Sequence, residues 1–104
     1  MKIKMTSQEI IYKISKSEAK HLINGNELFE KIIFPNDECL VFKVCIKDDK
    51  EICLVNQSNV FVLNVSKLAV ANLIKDNLKN GILQKYATNN RDNEYSLQID
   101  MRSS

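Results

Sequence analysis

Apolar and polar residues alternate from Glu9 to Ser15, with Ile10, Tyr12 and Ile14 in one phase, and again from Val60 to Val65, with Phe61, Leu63 and Val65 in phase. A period of two places such residues on one face of a strand. Between Lys16 and Asn24 the spacing changes: Ala19, Leu22 and Ile23 fall on one side of a helix, as do Val70, Leu73, Ile74 and Leu78 between Lys67 and Lys79. Read along the whole chain, the pattern predicts strands at Lys2–Met5 and Glu9–Ser15, a helix at Lys16–Asn24, and strands at Glu27–Phe34 and Glu38–Lys47. A second series follows, with strands at Glu51–Asn56 and Val60–Val65, a helix at Lys67–Lys79, a strand at Gly81–Ala87, the polar loop "TNNRDN" and a strand at Glu94–Ile99.

The two series have the same order, ββαββ. A shift of 51 positions brings Ser7 onto Ser58, Ser15-Lys16 onto Ser66-Lys67 and Leu22-Ile23 onto Leu73-Ile74, and keeps the strand alternation in phase. These matches are few, and two ordinary strand-helix units could share them by chance; the phase agreement favours duplication. Both glycines support the placement, since Gly25 and Gly81 each follow a predicted helix, where a residue without Cβ can take the left-handed conformation. Ser15 with Glu18 reads as a capping box. Ser66 can cap the second helix, but Ala69 cannot complete the box.

Parity divides the fourth strand into an apolar face, Leu40, Phe42, Val44 and Ile46, and a mixed face, Cys39, Val41, Lys43, Cys45 and Lys47. If this strand and the next form a hairpin through Asp48-Asp49-Lys50, Cys45 lies opposite Cys53 and Lys47 opposite Glu51. That arrangement would make either a redox-sensitive thiol pair or two neighbouring packed thiols.

Composition narrows the function classes. The 104 residues fit a single domain, with pseudo-repeats at about 1–50 and 51–104, and the 44% hydrophobic and 27% charged content is that of an ordered chain. A net charge of +2 is too small for a strong field toward phosphate or anionic lipid. The opening "MKIKMTSQEI" has no apolar signal region and no stretch approaches a membrane span, so a cytoplasmic protein is expected.

Cys39, Cys45 and Cys53 lack metal-ligand spacing, and the one histidine, His21, is distant in sequence. No glycine-rich phosphate loop or calcium-loop order occurs. No catalytic residue, cofactor site or metal site is therefore expected. Lys13, Lys16, Lys20 and Lys31, with Tyr12 and Phe29 as stacking residues, could gather for single-stranded nucleic acid, although Glu18, Glu27 and Glu30 interleave with them. Outward apolar residues such as Val41, Val55 and Leu83 could instead cover a second layer or a twin subunit.

The opening "MKIK", the junction "KISKSEAKHL", Gly25 three residues after Leu22, the following "ELFEKIIF" and the later "NVFVLNV" together resemble a family of short, uncharacterised bacterial proteins over about residues 1–72. Ser66 stands where that family would place a proline, and the ending "LQIDMRSS" departs from its acidic and aromatic last strand. The family's function is unknown, so the resemblance implies no catalytic residue, cofactor or partner.

The expected fold is α+β: duplicated ββαββ units related by a pseudo-twofold axis, with mainly antiparallel strands in a barrel-like or two-layer sheet and two helices covering its openings. A single sheet with two helices is the alternative. The expected function is a small non-enzymatic protein-interaction or regulatory module, self-associating or with a protein partner. A weak single-stranded nucleic-acid binder comes second and a thiol-based enzyme or redox sensor third.

Overall fold

The computed structural model describes residues 1–76 and 81–100. The strands are β1 (Lys2–Met5), β2 (Glu9–Ile14), β3 (Leu28–Ile33), β4 (Cys39–Ile46), β5 (Ile52–Gln57), β6 (Val60–Val65), β7 (Ile82–Thr88) and β8 (Arg91–Ile99); the helices are α1 (Lys16–Ile23) and α2 (Lys67–Asp76). Leu78 and Lys79, the predicted end of the second helix, lie outside the described residues.

The strands form two open four-stranded sheets, ordered β1-β2-β8-β7 (sheet A) and β3-β4-β6-β5 (sheet B). Each sheet therefore joins a hairpin from one half of the chain to a hairpin from the other. The junctions are the parallel ladders β2–β8 and β4–β6; the other pairings are antiparallel.

Duplication extends to the register. In sheet A Ile10, Tyr12 and Ile14 face Tyr95, Leu97 and Ile99, and 51 positions on, in sheet B, Phe61, Leu63 and Val65 face Phe42, Val44 and Ile46. The ladder ends agree too. Glu94 N–H donates to Gln8 O at 2.9 Å and Val41 N–H to Asn59 O at 2.8 Å, while Asp100 N–H donates to Ile14 O at 2.8 Å and Lys47 N–H to Val65 O at 2.9 Å.

The in-phase residues form the core. Tyr12, Ile14, Phe42, Val44, Leu63, Val65 and Leu97 belong to one buried cluster with Leu22, Val70 and Leu73 of the helices. Phe42 stacks on Phe61 and meets Tyr12 edge-on across the gap between the sheets. Tyr12 is wholly buried, and its hydroxyl donates to Phe61 O at 3.3 Å, so the phenol is satisfied where water cannot reach it. The helices, expected at the openings of the sheet system, pack against each other.

Local signals explain the element ends. Glu18 N–H donates to Ser15 Oγ and Ser15 N–H to Glu18 Oε1, completing the predicted box. Ser66 Oγ caps α2 through Ala69 N–H at 3.1 Å, and Asp48 Oδ1 adds a second acceptor for Lys67 N–H at 2.8 Å. The segment "TNNRDN" is a correction. It is no open loop, because Asn89 and Asn90 both adopt positive φ (46° and 64°) and close a two-residue hairpin, with β7 running to Thr88 and β8 starting at Arg91.

A second correction concerns the middle of the chain. β4 is not paired with β5, because β6 lies between them: Asn64 has Cys45 on one side and Cys53 on the other. Two ladder spacings, roughly 9–10 Å, separate the thiol-bearing strands, beyond the reach of a disulfide. Lys47 and Glu51 are likewise not cross-strand partners.

Candidate functional site

In sheet B the core takes Phe42, Val44, Leu63 and Val65, so alternation turns their neighbours outward. Register then assembles the outer face row by row: Ile33, Cys39; Lys31, Val41, Val60, Gln57; Phe29, Lys43, Val62, Val55; and Cys45, Asn64, Cys53. Val41, Val60 and Val62 are half-buried by one another, while Phe29 (57% exposed), Ile33 (64%) and Val55 (47%) stand clear. This face is mainly apolar, and Lys31 and Lys43 are its cations.

Sheet A has the same topology and a different exterior. Lys2 and Lys4 on β1, Glu9 and Lys13 on β2, Asp92 and Glu94 on β8 and Lys85 on β7 lie on its outer face, together with buried Ile11 and Ser96 and the partly exposed Leu83. Pairing fixes the equivalences. Lys4 of sheet A corresponds to Val55 of sheet B, Glu9 to Val60 and Glu94 to Val41, since each set occupies the same ladder position. The two halves share a backbone plan and part of a surface, since Ile11, Leu83 and Lys85 of sheet A stand at the places of Val62, Phe29 and Lys31, and they differ at Lys4, Glu9 and Glu94.

The chemistry sought in the sequence does not converge. Tyr12 is buried, Lys13 is on sheet A and Phe29 and Lys31 are on sheet B, so the expected stacking platform with its lysines is not formed. His21 is exposed on α1. Among the described residues no group of three or more His, Cys, Asp and Glu could hold a metal ion.

A cleft of about 690 Å³ opens at the start of β2 and β8, lined in part by Gln8, Glu9, Lys85, Asp92 and Glu94. Glu94 lies between Glu9 and Lys85 in the ladders, and Lys4 Nζ is 3.9 Å from Glu9 Oε1. Lys4, Lys85 and Asp92 are exposed and Glu9 and Glu94 half-buried, a surface setting in which ion pairs contribute little.

All three cysteines are free thiols. Cys45 Sγ–H donates to Glu27 Oε2 at 2.9 Å. Burial, then the hydrogen bond and charge of Glu27, push this thiol up to about 11, against a smaller opposing effect of Lys43. A reactive cysteine needs the reverse environment. At pH 7.5 Cys45 is expected to react with a disulfide reagent at least ~10-fold more slowly than an unperturbed thiol, and Glu27→Gln is expected to accelerate it. Stopped-flow kinetics with assignment of the modified residue by mass spectrometry check this; equal rates with and without the Glu27 carboxylate would contradict it.

Sequence reasoning named Val41, Val55 and Leu83 as outward apolar residues; the first two share this face, Leu83 lies on the outer face of sheet A, and Val60, Val62, Phe29 and Ile33 were missed as parts of the sheet B face. The signal was present in the parity of each strand, but not the neighbour order that brings the strands together. Comparison with known proteins finds no matching family model, no similar curated protein and no similar solved structure.

Proposed function

We propose that this chain is a small cytosolic, non-enzymatic protein-contact module whose contact surface is the outer face of sheet B. The observation that carries the reading is the inequality of two equivalent faces at three positions. At the positions of Val55, Val60 and Val41, the other half of the fold has Lys4, Glu9 and Glu94. The backbone arrangement accommodates charge at those places, so their apolar character in sheet B answers to something other than folding. Apolar surface held in water gains roughly 25 cal/mol per Å² when a partner covers it.

Three free thiols fit a reducing compartment. Membership of the family of short bacterial proteins resembled by the first 72 residues is part of the same proposal. The single-stranded nucleic-acid reading is weakened by the burial of Tyr12 and by the net charge of +2, and the thiol reading by the raised pKa of Cys45.

The test uses sheet A as the template. Val55→Lys with Val60→Glu installs in sheet B the residues found at the equivalent places of sheet A. Wild-type and double-variant chains, matched for thermal midpoint, are immobilised and exposed to extract of the native cell, and retained proteins are quantified by mass spectrometry. The wild type is expected to retain specific proteins that the double variant loses. Identical retention by both would refute this assignment of the surface.

A further inference from the structure

Sheet B alone offers a footprint of roughly 380 Å², taking four strands at ~4.8 Å spacing and about six residues at ~3.3 Å each. Stable interfaces bury roughly 800 Å² per partner. One margin of the sheet can enlarge it. Among the described residues β3 pairs with β4 only, its other side having no ladder partner there, and it holds Phe29 and Ile33, two of the most exposed large apolar side chains among them.

We propose that two copies of this chain join edge to edge through β3, antiparallel about a twofold axis, so that their B sheets become one continuous sheet with both apolar outer faces on the same side. This inference rests on the contact reading of that face and enlarges it. In-plane joining requires opposite residues to share a face, which restricts the registers about the axis to those with a residue facing its own copy.

Charge selects among them. Centring on Glu30 sets carboxylate against carboxylate, and centring on Lys31 sets ammonium against ammonium, both destabilising. Centring on Leu28 sets Glu27 opposite Phe29 of the other copy, and centring on Ile32 sets Lys31 opposite Ile33, so neither forms an ion pair. Centring on Phe29 sets the two aromatic rings together and places Glu27 opposite the second copy's Lys31 on both sides of them. Glu27 is on the required face, since its carboxylate accepts from Cys45 Sγ. Both Glu27 and Lys31 are exposed.

The other margins fit a second copy less well. β1 has only four residues, and a register centred on Ile3 sets Lys2 against Lys4. β5 and β7, the margins on the opposite side, pack against each other within the chain.

Sedimentation equilibrium between about 5 and 500 µM tests the pairing. The wild type is expected to reach the dimer mass. Glu27→Lys and Lys31→Glu, each of which creates two like-charge pairs, are each expected to weaken association by ~10-fold or more, and Glu27→Lys combined with Lys31→Glu to restore it to within about 3-fold. Thermal midpoints within a few degrees of wild type would show that all variants fold. A wild type that stays monomeric, single variants that associate normally, or a double variant that remains weak would each overturn the inference. A monomer that still loses retained proteins on Val55→Lys with Val60→Glu would overturn the dimer and leave the contact surface standing. A dimer whose retained proteins ignore those two changes would do the opposite.

Discussion

Replacing Phe42 by alanine is expected to lower the unfolding free energy by about 3–5 kcal/mol. Phe42 is fully buried, projects from the central strand β4 of sheet B, stacks on Phe61 with ring centroids 5.2 Å apart and meets Tyr12 of sheet A at 6.0 Å with planes at 75°. Its loss removes both the apolar area and an aromatic contact that holds the sheets together, and leaves a cavity that fixed backbone ladders on either side prevent from collapsing. Against a total stability of about 5–15 kcal/mol, a loss of this size threatens the folded state at 37 °C. Leu68→Ala supplies the comparison. Leu68 is 71% exposed on α2, and its truncation is expected to stay within about 0.5 kcal/mol of wild type. Urea titrations of the two variants measure both values; a Phe42 loss below about 1 kcal/mol would mean that the sheets are not packed through this ring.

Gly81→Ala is expected to cost about 2–4 kcal/mol, well above the cost of Gly25→Ala, at about 1–2 kcal/mol. Both glycines have positive φ, +69° and +91°, so both substitutions incur the left-handed penalty. They differ in surroundings. A Cβ on Gly25 would meet nothing within 4 Å, whereas one on Gly81 would collide with the Leu97 carbonyl oxygen and come within 2.9 Å of Gln98 Cγ. Gly81 enters β7 directly beside β8, where Ile82 faces Leu97, and backbone atoms cannot swing aside as a flexible side chain can. Thermal midpoints of the two alanine variants give the comparison, and equal losses would contradict the close approach of the two strands.

Much of this fold could be read from residues alone because its signals were local. Period-two alternation located the strands, and Ser15 with Glu18 fixed the start of α1. The 51-position shift identified units whose ladders match in register. What escaped was neighbour order. Parity says which face a side chain occupies, and it is satisfied equally whether β4 lies beside β5 or beside β6. The parallel insertion of β6 thus moved Cys45 away from Cys53 without disturbing a single inward residue. The Asn89-Asn90 turn was hidden for a different reason. Asparagine at positive φ is one of several conformations open to a polar run, and only pairing of Thr88 with Arg91 selects it.

The candidate surface was legible in fragments. Val41 and Val55 stood out by parity, but their union with Val60, Val62 and Phe29 needed strand order, and their meaning needed comparison with the charged face at equivalent places. A lone valine facing outward says little, since isolated apolar residues are normal on any exterior. A valine where the twin half of the same chain has a lysine or a glutamate says more.

A photoreactive benzoylphenylalanine placed at Val55, and in a parallel strain at its equivalent Lys4, tests the central claim most directly, because both sites are exposed and occupy matching ladder positions. Irradiation of the native cells is expected to give discrete cross-linked proteins from position 55 and none of them from position 4. No adduct at position 55, or the same adducts from both positions, would contradict the assignment of sheet B as the contact surface.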